Sequence, residues 1–245
     1  MGSVASDALD AKNMTADEFT VAHPEITAAT DKSALTEFLF GALTNGDVAS
    51  REILANRFLD WGADPNMIRP DRINSLHVFV SRVKDPVVEA PLFKRLLDLG
   101  ADPNLQSARF GLPLDELMRN IPFTDQELAP IYDVLFERPG LDFFIADRGG
   151  DTLWDRVWRK TGNRPDVVRR TVHYIVEHTG TPPPPPQFAK KQPNKSWLRF
   201  NDGDVVVQGD DGVWRIAEHA QYSKDVVIQG ADGIWRVDVV DTIPA

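Results

Sequence analysis

The sequence predicts an α-helical repeat stack of about four units, followed by a small antiparallel β-meander or barrel-like module. Three observations carry that prediction. Gly62-Ala63-Asp64-Pro65-Asn66 recurs 38 residues later as Gly100-Ala101-Asp102-Pro103-Asn104, and self-similarity at such a period marks stacked helical repeats. Asp204-Val205-Val206-Val207-Gln208-Gly209-Asp210-Asp211-Gly212-Val213-Trp214-Arg215-Ile216 recurs 21 residues later, from Asp225 to Val237. Each copy is a β-rich run, a Gly-x-Asp-Gly turn and a second β-rich run, which is a hairpin pattern. Between the two repeats lie five consecutive prolines, Pro182 to Pro186, which neither a helix nor a central strand accommodates.

The elements follow in chain order. Residues 1–30 read as a mobile acidic leader, with Asp7, Asp10, Asp17, Glu18 and Glu25 against Lys12 and few large apolar side chains. Within it, Thr15-Ala16-Asp17-Glu18 has the form of a capping box and starts one short helix. Residues 31–181 are the repeat domain. Each turn follows an apolar helix end: Phe58-Leu59-Asp60-Trp61, then Leu96-Leu97-Asp98-Leu99, then Val134-Leu135-Phe136-Glu137 before a divergent third copy, Gly140-Leu141-Asp142-Phe143-Phe144. Gly supplies the left-handed residue that ends a helix, and Asp-Pro turns the chain. Helices are expected near 33–44 and 48–60, 74–83 and 88–98, 113–120 and 124–137, 152–160 and 165–178. The last, mostly polar helix suits a terminal cap. Residues 182–195 are a polyproline linker and 196–245 the β-repeat module, with about five strands counting Ser196 to Phe200.

The two turns and the tetrapeptides that follow them, Asn74-Ser75-Leu76-His77 and Leu112-Pro113-Leu114-Asp115, resemble the Gly-Ala-Asp-x-Asn turn and Thr-Pro-Leu-His helix start of the ankyrin repeat family. The resemblance covers about residues 31–181. It departs from the family in a period of 38 to 40 rather than about 33 residues, with the surplus between the two helices of a unit. It implies that His77 bonds backbone between units, and that loop tips and first helices line a concave binding surface. On that surface it places Arg69, Arg72, Arg109, Phe110 and Arg148 in the loops, and Arg82, Arg119, Trp158 and Arg159 late in the first helices. Arg recurs on both rows. Arg suits bidentate contact with carboxylates and is enriched in interface hot spots. The expected partner is therefore an acidic segment of another protein, with Phe110 and Trp158 as apolar anchors. The alternative for these Arg is pairing within the stack, with Asp71, Asp115, Asp147 and Asp155.

Composition narrows the function. The chain has 245 residues, 42% hydrophobic, with no Cys and a formal net charge of −10. The missing Cys removes disulfides, thiol nucleophiles and Cys-ligated metals. The acidic balance argues against nucleic acid as a partner. No apolar run reaches membrane-span length, and no secretory signal is visible at the start, so the expected setting is the cytoplasm or the nucleus. Phosphate-cradling loops and a Gly-x-Ser-x-Gly elbow are absent. The five His, at 23, 77, 173, 178 and 219, have no metal-ligand spacing. Asp202, Asp204, Asp210 and Asp211 lack the EF-hand spacing and read as hairpin turns. No cofactor and no metal are expected. The resulting reading is a non-enzymatic interaction protein acting as scaffold, adaptor or inhibitor. Two alternatives stand beside it. One is a sugar or other small ligand bound on Trp197, Trp214 and Trp235. The other is an enzyme with a site at the repeat/β-module junction, using carboxylates, His219 and Tyr222.

Overall fold

A computed structural model of the chain describes residues 3–119, 122–160 and 163–184, and the backbone of four short segments beyond them. The chain divides into two compact units, Met1–Leu141 and Asp142–Ala245, a division that falls inside the expected 31–181 domain.

Among the described residues, the first unit holds eight helices: α1 (Val4–Asn13), α2 (Ala16–Ala22), α3 (Lys32–Leu43), α4 (Val48–Asp60), α5 (Ser75–Val80), α6 (Pro86–Asp98), α7 (Pro113–Met118) and α8 (Asp125–Phe136). Their starts are written locally. Asp31, Asp47 and Asp85 each accept backbone N–H bonds at the first turn of α3, α4 and α6, and Pro86 opens α6 where its missing N–H costs nothing. Thr15 and Glu18 close the expected capping box at α2. The ends are local too. Gly62 and Gly100 take φ of 98° and 96°. The amides of Ala63 and Ala101 then reach back to the carbonyls of Phe58 and Leu96, the Schellman closure that only a left-handed residue permits.

The helices form two layers. α1, α3, α5 and α7 neighbour one another in sequence, and so do α2, α4, α6 and α8. The core lies between the layers, with Leu35, Phe38, Leu54, Phe58, Leu76, Phe79, Phe93, Leu96, Leu117 and Ile131 buried. Phe79 and Phe93 stack at 5.2 Å between ring centroids. The first helices α5 and α7 are shorter than expected. α5 stops at Val80 because the Arg82 amide bonds Phe79 in a tighter turn while the Arg82 carbonyl is taken by Arg51.

The leader is a correction. Residues 1–30, expected to be mobile, supply α1 against α3 and α2 against α4, an additional helix pair on the end of the stack. Ala11, Phe19 and Ile26 are buried, and Phe19 meets Phe58 edge-on at 5.7 Å. The close approach is possible because α3 carries Gly41, where an added Cβ would stand 2.1 Å from the Ala8 carbonyl oxygen. Asn45 Nδ2 fastens the same junction by donating to the Ala11 and Met14 carbonyls at 2.9 and 2.8 Å.

The second unit contains α9 (Leu153–Trp158) and α10 (Pro165–Thr179). Trp154 and Trp158 pack at 5.2 Å, and Phe143 meets Tyr174 edge-on at 5.6 Å. α10, read from sequence as mostly polar, buries Val167, Val168, Val172, Tyr174, Ile175 and Val176 along one side. Gly180 ends it with φ of 70°. The polyproline run is anchored at its start, because Trp154 Nε1 donates to the Pro184 carbonyl at 2.7 Å.

The fold class is also corrected. Through residue 184 the described chain is helical with no strand, and the β-meander or barrel-like module expected over 196–245 is not seen. The description there is limited to four short strand backbones, Val206–Gln208, Val213–Ile216, Asp225–Gln229 and Trp235–Val239. Trp197, His219 and Tyr222, and the side chains of Trp214 and Trp235, lie outside the described residues.

Candidate interaction site on the projecting loops

Two loops of the first unit, between α4 and α5 and between α6 and α7, are cross-tied by side chains acting on backbone. Asp64 and Asp102 each accept the amide two residues on, from Asn66 and Asn104, the Asx turn that Asp-Pro-Asn encodes. Asn66 Oδ1 then accepts the Asp102 amide at 3.0 Å, and Asn74 Nδ2 donates to the Asp102 carbonyl at 2.9 Å. One period later, Asn104 Nδ2 donates to the Gly140 carbonyl at 2.7 Å. The tips are narrow. Arg69 N–H bonds the Ile73 carbonyl, and Ser107 and Gly111 exchange both backbone bonds. Ser107 Oγ ties one tip to the other by donating to the Asp71 carbonyl at 3.0 Å, and Arg72 Nε does the same toward Gln106 at 3.3 Å.

The predicted contact residues divide by what they touch. Arg109 is exposed, with its guanidinium 5.1 Å over the Phe110 ring. Arg82 and Arg148 are exposed as well. Arg69 sits over Phe40 at 4.8 Å and pairs with Glu37 at 3.0 Å. Arg119 donates to the Phe110 carbonyl and lies 3.6 Å from Glu116. In the second unit Arg159 pairs with Asp151 at 2.6 Å, and Arg156, not Arg148, reaches Asp147. Trp158 is a correction. Expected as an exposed anchor, it is 2% exposed, because its place in the short α9 turns it onto Trp154.

His77 ties one helix pair to the next. Its Nε2 donates to the Gly111 carbonyl at 3.0 Å, across from one helix pair to the next, and its Nδ1 lies 3.0 Å from Asn74 Oδ1. Burial pushes its pKa below the usual imidazole value, against the opposing pull of the Gly111 and Leu105 carbonyls and of Asp102 and Asp115. It is a structural tie.

Sequence reasoning missed the ion pair beneath the surface. Arg51 and Glu89 are each 1% exposed and bond directly. The rest of the guanidinium donates to the Asn45 and Arg82 carbonyls. Glu89 Oε2 accepts the Lys84 and Asp85 amides at 2.7 and 2.8 Å. Every polar atom has its partner, as a buried pair requires. The available signal was the spacing, since 38 residues separate them, the same as the first repeat interval. Among the described residues, no helix is long and apolar enough to cross a membrane.

Comparison with known proteins adds the fold and nothing further. The crystal structure of a functionally unknown protein from Leptotrichia buccalis C-1013-b is similar, with a TM-score of 0.58 and 21% sequence identity. The match covers 71% of this chain and 94% of that one. No family model and no curated protein matches the sequence.

Proposed function

We propose that the unit spanning Met1–Leu141 is an ankyrin-like, non-catalytic binding scaffold that holds an acidic segment of another protein on its projecting loops. The observation that carries this reading is the cross-tying of the two loops, which presents Arg109 over Phe110 at a tip already in its final geometry. A preorganised surface avoids the ordering cost of association, and an Arg stacked on an aromatic ring keeps its fork free for a carboxylate. Arg72 and Arg82 extend the basic surface. Arg69 and Arg119 contribute less, because Glu37 and Glu116 already neutralise them. Trp158 has no part in it.

The test is an affinity capture from native cell extract with wild type, Arg109→Lys and Arg109→Glu. A partner held by wild type should bind roughly tenfold or more weakly to Arg109→Glu, with Arg109→Lys intermediate because it keeps the charge and loses the fork. A partner held equally by all three would sink the loop-tip reading.

A further inference from the structure

The first two helices carry a cluster that belongs neither to the loop surface nor to the core. Asp7 and Asp10 are three residues apart in α1 and share a face. His23 is the C-cap of α2, and Glu25 lies two residues on. Ligating atoms of Asp7, Asp10 and His23 all lie within 4.8 Å of one another. The imidazole is held by the Phe19 ring at 4.7 Å, and its Nε2 donates to Asp10 Oδ2 at 3.0 Å. Its other nitrogen, Nδ1, is 3.8 Å from Asp7 Oδ1 and 3.7 Å from Glu25 Oε1.

Asp7 supplies the observation that points to a ligand. Its side chain and that of His23 are each 9% exposed, and Asp7 Oδ1 is buried with no hydrogen-bond partner among the described residues. A carboxylate oxygen taken from water and given no donor is costly. At 3.8 and 3.7 Å from His23 Nδ1, Asp7 Oδ1 and Glu25 Oε1 are too far from the ring nitrogen to hydrogen-bond it. Each is at a spacing from Nδ1 that two ligands of one cation, about 2.0–2.2 Å from each, can have. Asp10, by accepting Nε2–H, fixes the tautomer that turns the Nδ1 lone pair toward that gap, as carboxylates do for metal-ligating His.

We propose that Asp7 Oδ1, His23 Nδ1 and Glu25 Oε1 bind a divalent cation of the Zn²⁺ class, with Asp10 as the positioning residue. One imidazole with two carboxylates selects Zn²⁺ over Mg²⁺ or Ca²⁺, which take oxygen alone. Water completes the coordination on the solvent side, where Glu25 is exposed. The cation joins α1, α2 and the turn after α2, stapling the added helix pair onto the stack.

The experiment is calorimetric titration of the full chain, stripped with chelator, with Zn²⁺ and separately with Mg²⁺ at pH 7.5. The expected result is a saturable isotherm of one Zn²⁺ per chain, a Zn²⁺-dependent rise in melting temperature, and no such response to Mg²⁺. Asp7→Asn and Glu25→Gln should each weaken Zn²⁺ binding by roughly tenfold or more. Glu25 is exposed, so Glu25→Gln decides alone if Asp7→Asn fails to fold. Asp10→Asn should weaken Zn²⁺ binding, because the imidazole loses the partner that fixes its tautomer and orientation. His173→Gln, at the exposed His173–Glu177 pair, should change nothing. No saturable Zn²⁺ binding, unchanged binding in a folded Asp7→Asn or in Glu25→Gln, or loss in His173→Gln would each overturn the proposal.

Discussion

Arg51 and Glu89 are the fourth residues of consecutive second helices, α4 and α6, and they pair in the interior with both side chains 1% exposed. The pair does more than neutralise charge. Through Arg51 it holds the Asn45 and Arg82 carbonyls, and through Glu89 the Lys84 and Asp85 amides. The connections between the paired helices, the part of the repeat that sequence marks as surplus, are thus tied from inside the stack. Arg51→Ala or Glu89→Ala should cost about 3–5 kcal/mol, because either leaves a buried, uncompensated charge. The double variant Arg51→Met, Glu89→Leu should lose less than the two single losses combined. Urea denaturation of the four proteins measures the coupling.

Gly41 predicts that α1 is docked by backbone contact. Gly41→Ala places a Cβ against the Ala8 carbonyl, which is main chain and cannot rotate aside. The variant should lose about 1–3 kcal/mol and show faster amide exchange in α1. Gly46→Ala is the control. Its Cβ would meet only the flexible Lys84 Nζ at 3.7 Å, and its stability should stay within about 0.5 kcal/mol of wild type.

Removing residues 1–30 distinguishes a mobile leader from a structural pair. Truncation should lower stability by at least the roughly 1.5–3 kcal/mol of burying Phe19 alone, since α3 and α4 lose their covering helices. A melting temperature equal to that of the full chain would restore the mobile leader.

His77 gives the stack a pH dependence of defined sign. Burial holds its folded pKa below the usual imidazole value of about 6.5, so the unfolded chain binds the proton more readily. Stability contributed by the neutral ring is complete above about pH 6.5 and falls as the pH drops toward the folded value. From pH 7.5 to 5.5, the urea midpoint of wild type should fall more than that of His77→Gln. Equal slopes would show that the ring is not held neutral.

The loop ladder predicts small local losses. Asn104→Ala removes one inter-loop donor, at 2.7 Å, and should cost about 0.5–1.5 kcal/mol. Asn74→Ala removes the 2.9 Å donor and also the Oδ1 that caps α5, and should cost more, about 1–3 kcal/mol. Both should raise amide exchange at the loop tips, measured by mass spectrometry.

Short-range chemistry made part of this protein legible. The Thr15–Glu18 box and the left-handed Gly62 and Gly100 each act within one or two turns, so a local pattern identifies them. His77 belongs with them only because a family pattern named its partner's place. Trp158 was misjudged because exposure depends on which side of a short helix meets a neighbour, and the six residues of α9 leave no periodicity to read it from. The Arg row was only partly readable, since Glu37, Glu116 and Asp151 reach the guanidiniums through folding. The tail repeats read as a meander because hairpin turns and β-propensity are local signals.

The sequence by itself determined where most helices start and end and the interval at which they recur, because caps, glycines and prolines act on their own backbone. Tertiary structure alone decided that the acidic leader docks at Gly41, that Arg51 finds Glu89 one period away, and that Asp7, Asp10, His23 and Glu25 converge. Those outcomes depend on which surfaces lose water together, and a linear pattern does not contain that.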